Sequence, residues 1–159
     1  MSTRLTQGGA RIDRTKPVSF RFNGQQLKGY EGDTLASALL ANDRMMMGRS
    51  FKYHRPRGVV ASGTEEPNAL LGIGQGGRFE PNQRGTMQEV FEGLESTSQN
   101  HWPSLEFDVG EINASLSRFL PAGFYYKTFL WPRSFWKHVY EPFIRQSAGL
   151  GKAPKDRDA

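Results

Sequence analysis

The stretch Val18-Ser19-Phe20-Arg21-Phe22-Asn23-Gly24-Gln25-Gln26-Leu27-Lys28-Gly29-Tyr30 decides the fold. Val18 to Phe22 alternates apolar and polar side chains, the period of a strand with one buried face. Asn23-Gly24 follows at once. Both residues tolerate positive φ, so the pair joins two short extended runs as a tight hairpin. Gly32 and Asp33 come next, then the apolar segment Leu35-Ala36-Ser37-Ala38-Leu39-Leu40-Ala41. Asp33 or Thr34 can cap a helix there, with Leu35, Ala38 and Leu39 on one face. A hairpin leading directly into a short helix opens a β-grasp fold, an α+β architecture. Further on, Ala69 to Ile73 reads as a third strand and Thr86 to Phe91 as a fourth.

Around this unit the chain divides into four zones. Residues 1–15 are polar and contain Gly8-Gly9, and they read as a flexible arm. Residues 16–95 form the β-grasp unit. Residues 96–146 are a mostly short-helical extension in which Phe119, Phe124, Tyr125, Tyr126, Phe129, Trp131, Phe135, Trp136, Tyr140 and Phe143 crowd together. Pro121, Pro132 and Pro142 break it into short helices, because proline interrupts a helix interior. A segment so aromatic and so broken is expected to pack on a partner domain. That expectation includes Tyr125-Tyr126-Lys127 and Trp131-Pro132. Residues 147–159 are rich in Gly, Lys, Pro and Asp and read as a linker or tail.

The chain has 159 residues and no cysteine. That excludes disulfides, thiolate zinc sites, a cysteine nucleophile and a cysteine-ligated iron–sulfur cluster. There is no secretory h-region near the start and no apolar run of ~18 residues, so cytoplasm is the expected compartment and no membrane contact is expected. Net charge is +5. The positive charge is densest at Arg44, Arg49, Lys52, Arg55 and Arg57, interleaved with Phe51, Tyr53 and His54, and no acid occurs from Met45 to Thr64. Guanidinium forks beside aromatic faces suit phosphate, nucleotide or flavin contact, so Lys52, Tyr53, His54, Arg55 and Arg57 are the candidate cofactor-binding residues. The same pattern suits single-stranded nucleic acid, or acids on a neighbouring domain.

Other motifs carry less. His54, His101 and His138 have no metal-ligand spacing. Gly72 to Gly77 lacks the Gly-Lys-Ser/Thr of a P-loop and reads as a strand-to-strand turn. No Gly-x-Ser-x-Gly elbow is present. Glu65-Glu66 precedes Pro67 and reads as a surface turn. Met45-Met46-Met47 reads as core filling with partial exposure, since three successive residues cannot share one face. No catalytic residue is expected in this chain.

A specific resemblance joins these features. Arg49-Ser50-Phe51-Lys52-Tyr53-His54-Arg55-Pro56-Arg57-Gly58 and Glu65-Glu66-Pro67-Asn68-Ala69-Leu70 resemble the N-terminal region of the heterotetrameric sarcosine oxidase α-subunit family. So do Ser98-Gln99-Asn100-His101-Trp102-Pro103-Ser104, Gly123 to Phe129, and Tyr140-Glu141-Pro142. The resemblance implies a ferredoxin-like β-grasp domain at the head of a flavoenzyme subunit. In related dehydrogenases that domain holds a [2Fe–2S] cluster through cysteines; here the corresponding loop, Ala61 to Ala69, has none, so no cluster is expected. The resemblance also implies an oxidoreductase acting on CH–NH donors, with NAD, FAD and FMN in the complex and none bound by this chain alone. Its partners would be the remaining α-subunit domains and the β, γ and δ subunits. In such a complex sarcosine loses a hydride to FAD, electrons pass to FMN and then to oxygen, and the methylene goes to tetrahydrofolate. Glycine and hydrogen peroxide are the other products. This chain would be a non-catalytic module, present as a fragment, a split subunit or a truncated product. An N-methylglutamate dehydrogenase-type complex is the alternative within that class. A small basic nucleic-acid binder and a ferredoxin-like electron carrier are the alternatives outside it, and nucleic acid is not the expected partner.

Overall fold

A computed structural model describes residues 3–119, 123, 129 and 131–156. The opening hairpin forms as its alternation requires. Strand β1 (Asp13–Phe22) pairs antiparallel with β2 (Gln25–Glu31), with Phe20 opposite Leu27 and Phe22 opposite Gln25. Asn23 and Gly24 make the turn at φ 50° and 78°. Phe20, Phe22 and Leu27 point inward and are buried, while Arg21 and Lys28 point out. Helix α1 (Leu35–Ala41) follows, capped by Thr34, whose side-chain oxygen accepts from the Ser37 amide. Leu35, Ala38 and Leu39 are fully buried. The helix lies close on the hairpin at Gly29, where an added Cβ would come within 3.3 Å of the Ala38 methyl.

The remaining short strands are β3 (Gly48–Arg49), β4 (Pro56–Arg57), β5 (Leu70–Ile73), β6 (Glu80–Arg84) and β7 (Glu95–Thr97). Five strands form one sheet in the order β2-β1-β7-β5-β6, and β3 and β4 form a small separate hairpin. Within the large sheet β1 and β7 run parallel, Arg21 beside Glu95, and the other neighbours are antiparallel. With α1 packed on one face, this is an α+β β-grasp fold. The third strand lies where the sequence places it. β7 straddles residue 95, the expected end of the unit, and Leu105 also enters the core. Of the turn expected at Gly72 to Gly77, Gly72 and Ile73 belong to β5, and Gly74 to Gly77 lie in the connection from β5 to β6.

The expected fourth strand at Thr86–Phe91 does not form. Its backbone serves the helix instead: Gln88 and Gly85 carbonyls accept from the Leu35 and Ala36 amides, and the Val90 amide donates to the Asp33 carbonyl. A helix start leaves unpaired N–H groups; Gln88 of this segment and Gly85 just before it satisfy two of them. Groups spent on the helix end are not free to extend a sheet ladder, and one isolated bridge, Thr34 to Glu89, is what remains. The fourth and fifth strands of the sheet are Glu80–Arg84 and Glu95–Thr97.

The opening arm is tethered rather than loose at Arg4. Its guanidinium donates to both oxygens of buried Asp33, at 3.0 and 2.6 Å, and lies over the Tyr30 ring. The methionine triplet divides as expected: Met47 is buried, Met46 packs partly on the core, and Met45 is exposed. Toward the other end, helical turns run through Arg133–Phe135, Trp136–Tyr140 and Glu141–Ser147. Asn82 donates to the Ala148 carbonyl, and the Lys155 amide donates to Gly77, so the segment expected as a tail lies along the β5–β6 turn as far as it is described. Trp102, Phe107, Phe119, Trp131 and Phe143 are each at least 70% exposed. Tyr125-Tyr126-Lys127 and Phe124 lie outside the described residues.

Candidate functional site

The basic loop is the turn between β3 and β4. Gly48 pairs with Arg57 and Arg49 with Pro56, leaving Ser50 to Arg55 as the tip. The tip is closed by bonds from the Ser50 amide to the Arg55 carbonyl and from the His54 amide to the Ser50 carbonyl. The five sequence-predicted residues do not share one role. The Lys52 ammonium and the Arg55 guanidinium each lie 4.7 Å from the centre of the Tyr53 ring, an aromatic–cation stack at the surface. His54 turns inward and bonds Asp108 at 2.7 Å. Arg57 donates to the Asn68 side chain at 2.6 Å.

Two residues outside the predicted set hold the loop. Arg49 is nearly fully buried, and it donates to the carbonyls of Leu105, Glu106 and His54 and to the Glu111 carboxylate. Asp108 receives the His54 ring and the amides of Trp102 and Gly110. Burial raises the Asp108 carboxyl pKa, but the Trp102 amide, the His54 ring and the Gly110 amide together outweigh it and hold the group below the ordinary carboxylate range. Among the described residues, the carboxylates that Arg49 and His54 meet are those of Asp108 and Glu111. Asp108-Val109-Gly110, with its aspartate two residues before the turn glycine, was the available local signal; nothing local marks Arg49 as buried. Beside the loop runs a groove of about 320 Å³ lined by Arg49, Ser50, Arg57, Asn68, Asn82 and Asn100. Its polar groups already bond within the chain: Arg49 donates to backbone carbonyls, Arg57 to Asn68, Asn82 to the Ala148 carbonyl and Asn100 to the Arg49 carbonyl, while Phe51, Pro67, Leu70, Ala148 and Leu150 supply the apolar lining.

The turn at Glu65-Glu66 also departs from expectation. Glu65 is exposed, but Glu66 is fully buried. One carboxylate oxygen accepts from the Val60 and Ala61 amides at 2.7 and 2.8 Å, the other from Asn68 and Ala69 at 2.6 and 3.0 Å. Pro67 bends the chain back, and the side chain reaches into the loop it closes. Burial pushes this carboxyl upward, yet the four amides prevail and the pKa is lowered.

A family described as "2Fe-2S iron-sulfur cluster binding domain" matches residues 15–101, over half of the chain. The chain belongs to that family. The chain is also 62% identical over 157 residues to "Sarcosine oxidase subunit alpha" of Rhizobium meliloti (strain 1021), covering 99% of this chain and 16% of that relative. A second "Sarcosine oxidase subunit alpha", from Corynebacterium sp. (strain U-96), is 41% identical over 92 residues, 56% of this chain and 10% of that one. The chain thus spans about one-sixth or less of the length of these relatives. Among solved structures, L-proline dehydrogenase from P.horikoshii aligns over 57% of this chain and 17% of its own with a TM-score of 0.46 and 24% identity, too slight a likeness to bear on function.

The group in the family's description does not fit these residues. A [2Fe–2S] cluster is held by thiolates, or by thiolates with histidines, and the chain has no cysteine. Among the described residues no group of three His, Asp or Glu side chains is placed to hold a metal ion. No described helix is long and apolar enough to cross a membrane.

Proposed function

We propose that this chain is the non-catalytic, cluster-free N-terminal module of a sarcosine oxidase α-subunit-like flavoenzyme assembly in the cytoplasm. The observation that carries this reading is identity of 62% sustained over 99% of the chain with a subunit of which it covers 16%. The assembly would oxidise sarcosine at the CH–NH bond and pass the methylene to tetrahydrofolate. FAD, FMN and NAD would sit in the remaining α-subunit domains and the β, γ and δ subunits. This chain contributes packing surface. The exposed aromatics at Trp102, Phe107, Phe119, Trp131 and Phe143 are the face on which those domains would seat.

In this reading the Lys52–Tyr53–Arg55 stack and the adjoining groove face a cofactor phosphate or an acid of the neighbouring domain. The inward bonds of His54 and Arg57 reserve those two for holding the loop in shape. The test is isolation of the native assembly through a tag on this chain, followed by flavin and NAD analysis and a sarcosine-dependent peroxide assay. Flavin and sarcosine turnover are the expected result; recovery of the chain alone, or turnover with N-methylglutamate only, would reject it. Arg55→Glu should lower dinucleotide or flavin content in that assembly, because the Arg55 side chain is exposed and stacks on Tyr53 at the surface, while its backbone bonds to Ser50 survive the substitution. Unchanged content would remove the loop from the cofactor side.

A further inference from the structure

We infer that Glu66 replaces the iron–sulfur cluster as the anion around which the loop 60–69 is built, so that this loop is ordered by the chain itself and is closed to iron. Three observations meet at this residue. Plant-type [2Fe–2S] loops space three of their cysteines as Cys-x4-Cys-x2-Cys. Laid on the cysteine-free loop Ala61 to Ala69, that spacing falls on Ala61, Glu66 and Ala69. The middle position is the acid. Its carboxylate bonds the amides of the other two positions, Ala61 and Ala69, and of their neighbours Val60 and Asn68.

The chemistry explains the exchange. A cluster with its thiolates is an anionic body whose sulfurs accept backbone N–H bonds. Remove it, and a loop wrapped on it is left with inward amides and no acceptor, a costly state for buried donors. A carboxylate restores negative charge and two oxygens with room for about four acceptor sites, and all four are used here. Small alanine side chains at positions 61 and 69 leave space for the acid. Thr86 adds the outer closure, its hydroxyl donating to the Gly63 carbonyl across the loop. The inference rests on the loop's own geometry and holds whatever assembly carries the chain.

Hydrogen exchange read by mass spectrometry on the whole protein as it occurs, resolved to single amides by fragmentation, tests it. In the unaltered protein the amides of Val60, Ala61, Asn68 and Ala69 should be protected at least about 100-fold over a free chain; exchange at the free-chain rate overturns the proposal. In Glu66→Gln the same four should lose at least about 10-fold of that protection while the β1–β2 amides keep theirs. Equal protection in the variant overturns it also. Incubating the unaltered protein with ferrous iron and sulfide under reducing conditions should yield no visible-range chromophore, and a stoichiometric one would overturn the claim that the loop is closed. If Glu66→Gln does not fold, the first and third measurements still decide.

Discussion

Asp33, Glu66 and Asp108 are buried carboxylates held by three different kinds of donor: a guanidinium with a hydroxyl and an amide, four amides, and an imidazole with two amides. For Glu66 and Asp108 the folded pKa lies below the unfolded value, so their stabilisation is complete above an unfolded pKa of about 4 and drains away as the pH falls through the lower folded values. The urea midpoint should therefore drop as the solution is acidified below about pH 4, and Glu66→Gln should flatten that dependence. A variant with the parent's full acid slope would contradict the assignment. Arg4→Ala leaves Asp33 buried with only the Tyr30 amide and Ser37 hydroxyl for company. Removing one member of a shielded ion pair costs about 3–5 kcal/mol, and here the low end applies because Arg4 is partly exposed. A loss well under 1 kcal/mol by urea unfolding would mean that the arm is not part of the fold.

Elements respond to their ends. Thr34→Ala removes the acceptor for the Ser37 amide and should cost ~1 kcal/mol, seen as a lower thermal midpoint. Gly32, at φ 85° between β2 and α1, has the Arg11 carbonyl oxygen 1.8 Å from where a Cβ would stand. Gly32→Ala must displace the arm as well as strain its own backbone, and should destabilise by more than about 1 kcal/mol in the same measurement. These two positions also mark what local sequence conveys. The hairpin and α1 were legible because alternation, Asn-Gly and a capping threonine act within a few residues of one another. The segment 86–91 was not. Its composition resembles a strand, and its actual partner, the N-terminus of α1, lies some fifty residues away. The candidate site was legible only as a charge pattern. Lys52 and Arg55 stack on Tyr53 of the same loop, the inward turn of His54 depends on Asp108, and the buried roles of Arg49 and Glu66 depend on backbone groups no spacing rule reports.

At the scale of the whole molecule, polar bonds fasten the β-grasp unit to what precedes and follows it, and a large aromatic surface remains uncovered. The isolated chain should self-associate and bind a hydrophobic dye strongly, because Trp102, Phe107, Phe119, Trp131 and Phe143 are each at least 70% exposed. A monodisperse monomer with a cooperative melt and no dye uptake would count against the packing role. The parallel pairing of β1 with β7, Arg21 beside Glu95, has a consequence for the chain's birth. The first hairpin and helix can form as soon as they leave the ribosome, but the open side of β1 has no partner until residues 95–97 follow. At about 5–20 residues per second that is a wait of roughly 4–15 s. During it β1 presents a bare strand edge, open to pairing with another chain, before the aromatic segment has been made.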